Sequence, residues 1–171
     1  MERRPATAEE GRALANPLRL RILRLCLDRA MTNEELAARL GLNAGTVLHH
    51  VRLLVRTGFL APEGERRGAR GAIERPYRAT GKSWTLDVGE EAKVGKVSAG
   101  TLALIDAFRA EVAETPPEGI MNVARLGVRL TAEERARFVK RMEELALDLK
   151  AADDPDGEPV GFLVGMHRRT E

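Results

Sequence analysis

The sequence predicts an α+β protein in two parts: an N-terminal run of short helices closed by a β-hairpin, and a C-terminal helix-strand-helix-strand region. Three observations carry this. Thr-x-x-Glu stands ahead of three apolar-periodic stretches, at Thr7/Glu10, Thr32/Glu35 and Thr131/Glu134. Each marks a helix start, because the threonine hydroxyl accepts from the third backbone N–H while the glutamate reaches back to the cap's own N–H. The apolar spacing is helical up to Gly58 and strand-like beyond it. The charge also divides near Thr85: residues 1–85 hold 16 Lys and Arg against 9 Asp and Glu, net +7, whereas residues 86–171 hold 12 against 17, net −5.

In chain order, helices are expected at 8–15, 17–29, 33–40 and 44–57, with Pro17 suited to a first turn and Gly41 and Gly58 placed to end helices. Only Gly41, Leu42 and Asn43 separate the third helix from the fourth, so the two turn sharply against each other. Residues 59–80 read as two strand-like segments around a Gly- and Arg-rich tip, a hairpin with a long loop. A connector over 81–96 leads to Leu102, Ile105, Phe108 and Val112, at helical spacing until Pro116 and Pro117 stop the pattern. Leu126, Val128 and Leu130 alternate with Arg125 and Arg129 as in a half-buried strand. A capped helix follows with Phe138, Met142, Leu145 and Leu149 on one stripe, then a polar loop and a second apolar strand near 160–166. The expected domains are 1–85 and 86–171.

Composition narrows the function. A chain of 171 residues with 43% hydrophobic residues can bury a real core. No apolar run approaches the roughly 20 residues of a membrane span, and the charged N-terminus lacks a signal-like apolar segment, so a cytoplasmic protein is expected. The single cysteine, Cys26, rules out an internal disulfide and a multi-thiolate metal site; on a leucine-rich helix it reads as a small buried hydrophobe. His49 and His50 are neighbours about 100° apart on a helix and do not chelate one ion as an i, i+4 pair does. No cofactor or metal is expected. No nucleophile elbow, phosphate-cradling loop or metalloprotease pattern is present, so the chain does not read as an enzyme.

On the fourth helix, Val47, Val51 and Leu54 share one face, suited to packing. The other face, headed by Asn43, carries Gly45, His49, Arg52 and Arg56 with Thr46 beside them, and no acid occurs from Gly41 to Pro62. Such a face can approach phosphates and fits the major groove of double-stranded DNA. His49 then serves the groove, and His50 lies at the edge of the core. Arg66, Arg67 and Arg70, among Gly64, Gly68 and Gly71, suit a narrow minor groove or a phosphate. The rival reading is a protein-docking module without DNA binding, although such modules usually lose the cationic face. In the C-terminal region, Phe108, Phe138, Met142 and Phe162 fit either plain core or a cavity for a small apolar effector.

The stretch "ALANPLRLRILRLCLDRAMTNEELAARLGLNAGTVLHHVRLLVRTGFL", followed by "RPYRAT", resembles the winged helix-turn-helix of ArsR-type bacterial transcriptional regulators over roughly residues 10–82. The resemblance implies a homodimeric repressor on inverted-repeat operator DNA. It gives the recognition role to Gly45, Thr46, Leu48, His49 and Arg52, and the wing role to Arg66, Arg67 and Arg70. Leu48 stands where the family usually has a small polar residue, though leucine suits a thymine methyl. "TNEELAARLG" lacks the Cys-x-Cys motif of the metal-sensing members, so metal sensing is not implied.

Overall fold

The computed structural model describes residues 4–67, 73–87 and 98–168. They fall into two compact units, Met1–Glu114 and Thr115–Glu171. The charge changes sign near Thr85, whereas the first compact unit continues to Glu114.

The first unit opens with a short strand β1 (Arg4–Pro5), then α1 (Ala8–Leu14), α2 (Pro17–Asp28), α3 (Asn33–Leu40) and α4 (Ala44–Arg56). Local chemistry sets these bounds. Thr7/Glu10 and Thr32/Glu35 form complete capping boxes on α1 and α3. Asn16 caps α2 by accepting from the Arg19 N–H at 3.1 Å, and Pro17 occupies the first helical turn, where its missing N–H costs nothing. α3 ends because Gly41 turns left-handed at φ 64°, which lets the Leu42 N–H donate to the Ala37 carbonyl at 3.0 Å. That turn aims the chain into α4.

Beyond α4 the hairpin forms in two pieces. β2 (Leu60–Pro62) pairs antiparallel with β5 (Tyr77–Ala79), and β3 (Arg66–Arg67) with β4 (Ile73–Glu74). The break falls where Gly64 takes φ 70° on one arm and Pro76 stands on the other. Met31 extends the ladder by exchanging backbone hydrogen bonds of 3.0 and 2.8 Å with Tyr77. After a short 3-10 turn, β6 (Leu86–Asp87) returns to pair parallel with β1. The expected connector thus has structure at its start; residues 88–96 of it lie outside the described residues.

Ile22, Cys26, Leu36, Val47, Val51, Leu54, Phe59 and Leu60 are fully buried at the centre of this unit. α5 (Ala99–Glu114) packs on α2, and its buried residues are Ala103 and Ala107, whose small side chains allow close approach. Leu102, Leu104 and Ile105 of the same helix are exposed. At its end Glu114 accepts from Arg21 of α2 and, at 3.0 Å, from Arg39 of α3.

The second unit holds α6 (Ala132–Ala151), started by the third complete capping box, Thr131/Glu134. The two strands expected from alternation, near 125–130 and 160–166, do not form: both segments carry neither helix nor strand. A strand exists only through a ladder to a neighbour, and among the described residues no ladder includes these segments, with Leu126 at 84% and Val128 at 61% exposure. Among the described residues of this unit none is buried. No helix among the described residues is long and apolar enough to cross a membrane.

Candidate nucleic-acid interface

α4 separates its residues by chemistry. Val47, Val51 and Leu54 are fully buried, whereas Gly45, Thr46, His49, Arg52 and Arg56 are all exposed, one helical face at i, i+4, i+7 spacing. Asn43 caps the helix by accepting from the Gly45 N–H at 2.8 Å. A Cβ on Gly45 would lie 3.1 Å from that Asn43 oxygen, so the small residue keeps the cap close to the helix start. This first turn contains no acidic side chain, leaving the positive end of the helix dipole uncompensated beside Thr46. Leu48 is half-buried.

The adjacent histidines divide as their angular offset requires. Their rings meet edge to face, 77° apart with centroids 5.6 Å from each other. His49 is exposed on the open face. His50 is half-buried, its Nδ1 3.4 Å from the Arg19 guanidinium of α2. Burial, with Arg19 and His49 nearby, pushes the His50 pKa below its ordinary value.

The cations differ in how free they are. Arg52 is exposed and has no ion pair among the described residues. Arg56 is bonded to Glu9 of α1 at 3.0 Å. Arg66, on β3, bonds Glu35 of α3 at 2.7 Å and Glu74 of β4 at 3.3 Å. Glu35 thereby serves twice: its pKa is lowered first by the Thr32 N–H of the capping box and then by Arg66. Arg67 is exposed beside it. Arg70 lies outside the described residues.

Sequence reasoning missed the support behind α4. Glu10, expected only to cap α1, is buried; it accepts from Arg4 at 2.6 Å, Lys82 at 2.7 Å and the Thr7 N–H at 2.8 Å. Arg4 and Lys82 hold its carboxyl far below the usual range. Lys82 also donates to the Thr57 carbonyl at the end of α4 at 2.6 Å and lies 5.2 Å from the centre of the Phe59 ring. Only the Thr-x-x-Glu spacing pointed to Glu10. Nothing local in the sequence pointed to Lys82.

Comparison with known proteins agrees with this geometry. A family model described as a helix-turn-helix domain matches residues 14–63, which span α2, α3, the tight turn, α4 and β2. The first unit is a winged helix-turn-helix. Over 77 residues the chain is 41% identical to proteins named HTH-type transcriptional regulator CmtR, from Mycobacterium bovis and from two strains of Mycobacterium tuberculosis. That match covers 45% of this chain and 65% of each relative's length. These relatives are named as transcriptional regulators. Among solved structures, reduced HlyU from Vibrio cholerae is similar at 22% identity and a TM-score of 0.33, over 55% of this chain and 77% of that one.

Proposed function

We propose that this protein is a DNA-binding transcriptional regulator that represses as a homodimer, in the cytoplasm, by occupying an inverted-repeat operator. One observation carries the reading: α4 presents an exposed face of Gly45, Thr46, His49, Arg52 and Arg56 that has no acid of its own, Glu9 of α1 meeting it only at Arg56, with Val47, Val51 and Leu54 fully buried behind it. A docking surface has no need of such a face. In the proposed complex α4 lies in the major groove with Asn43, Gly45, Thr46 and His49 toward base edges, Leu48 at the margin against a thymine methyl, and Arg52 and Arg56 on bases or phosphates. Arg66, Arg67 and Arg70 of the wing follow the neighbouring backbone. One helix covers only a few base pairs, so a second copy one helical turn away, roughly 34 Å, supplies the other half-site. The exposed apolar residues of the second unit, Phe162 at 50% among them, are assigned to assembly and not to a small apolar effector.

The test is selection of bound fragments from genomic DNA, then titration of the recovered site at several salt concentrations. A regulator yields a recurrent inverted repeat and a log K that falls linearly with log salt, as phosphate contacts release counterions. A protein-docking module yields neither, and that result removes the proposal.

A further inference from the structure

We propose that residues 120–130 and 159–166 are the docking surface for a second copy of this chain, which completes a four-stranded β layer that one copy cannot build. The inference rests on the homodimeric reading above and says where the second copy sits. Within the second unit α6 is well made, yet no described residue is buried. Leu126, Val128, Val160, Phe162, Val164 and Met166 are between 40% and 84% exposed, more apolar surface than a stable monomer usually shows.

The sequence of these segments names the occupant. Ala124, Leu126, Val128 and Leu130 alternate with Arg125, Gly127 and Arg129; Val160, Phe162, Val164 and Met166 alternate with Gly161, Leu163 and Gly165. Each is a strand pattern, and the segments flank one helix, the order of a β-α-β unit. A single copy offers only two strands, and a two-stranded sheet is marginal in water, whereas three or more with an apolar face hold. Two copies bring four strands, with α6 of each to cover a face through Phe138, Met142, Leu145 and Leu149.

Charge points the same way. Residues 120–130 carry Arg125 and Arg129 and no acid, and residues 151–159 carry Asp154, Asp156 and Glu158, besides Asp153, which bonds Lys150 at 2.6 Å, and no base. A foreign partner would have to bring both a matching edge and the opposite charges. A second copy has both already, and a two-fold interface is self-complementary by nature.

The full chain tests this by sedimentation equilibrium and amide hydrogen exchange, with Val128→Asp and Phe162→Asp beside the wild type. Both sites are solvent-exposed in the single copy, so the core of the first unit is untouched and its helices report folding. The expected result is a dimer in the wild type with slow exchange at 124–130 and 160–166. In each variant the dimer dissociation constant rises at least tenfold and those amides exchange fast. A monomeric wild type at micromolar concentration overturns the proposal, as do slow exchange of these amides in a monomer and variants whose dimer is as strong as the wild type's. A dimer of unchanged strength in the variants that still binds the inverted repeat overturns this inference alone. Dimerisation as expected without operator binding overturns the regulator reading alone.

Discussion

Arg52 and Arg56 stand four residues apart on the open face of α4, and their different partners make different outcomes on truncation. Arg52 has no ion pair among the described residues, so on DNA it exchanges only water and counterion for its contact. Arg56 must first leave Glu9, at 3.0 Å; the two side chains are 68% and 51% exposed. An exposed pair of this kind is worth about 0–1 kcal/mol, so leaving it lowers affinity by at most about fivefold. Arg52→Ala is expected to weaken operator binding by roughly 1–3 kcal/mol with a lost base contact. A lost phosphate contact instead takes about 0.9 off the slope of log K against log salt. Arg56→Ala is expected to cost less than Arg52→Ala, and Glu9→Gln to strengthen binding by about two- to fivefold, the released pair energy. Fluorescence anisotropy with a labelled operator at four salt concentrations reads affinity and slope together. Unchanged affinity and slope in both arginine variants would refute the assignment of this face to DNA. Glu9→Gln without effect, alongside a weakened Arg56→Ala, would show that the ion pair persists in the complex.

Three further outcomes follow from the fold. The Glu10 carboxyl is held far below its unfolded pKa, so its stabilisation is full above that value and is lost as pH falls from about 5; Glu10→Gln should flatten the acid limb of a stability profile, and an unaltered limb would remove the network from the account. Gly41→Ala meets nothing within 4 Å but must hold φ 64°, a cost of roughly 1–2 kcal/mol, which a thermal melt reads as a Tm several degrees lower; equal melts would mean the turn relaxes freely. Cys26 is fully buried and its thiol is pushed up to about 12, so an aromatic disulfide reagent at pH 8 should label it only as fast as the protein unfolds; immediate labelling would place it at the surface.

Features written in contiguous residues were legible in the sequence. All three Thr-x-x-Glu boxes cap helices, the three-residue turn at Gly41 joins α3 to α4, and the inward and outward faces of α4 divide as spacing predicts. The division of His49 from His50 follows from their 100° offset alone. α5 was legible as a helix but not in its orientation. Leu102 and Ile105 look like a core stripe, yet Ala103 and Ala107 are buried, because close packing on α2 favours the smallest side chains. The β1 and β6 pairing joins two-residue segments about 80 positions apart and leaves no periodic trace. The C-terminal strands show the opposite limit. Alternation there is plain, but it states only which side wants burial, and a ladder needs a partner edge that residues distant in sequence must supply.

Lys82 has a consequence for how an operator is spelled. One ammonium holds the last turn of α4 through Thr57, the start of the chain through Glu10, and the base of the hairpin beside Phe59. In the proposed complex this contact ties the end of the groove helix to the base of the wing. Positions read by one keep a fixed phase to positions touched by the other. A single base pair inserted between them rotates the far contact by about a tenth of a turn, since B-DNA repeats in 10–10.5 base pairs. An operator bound as proposed is expected to tolerate substitution at its weaker positions better than a change of spacing within a half-site.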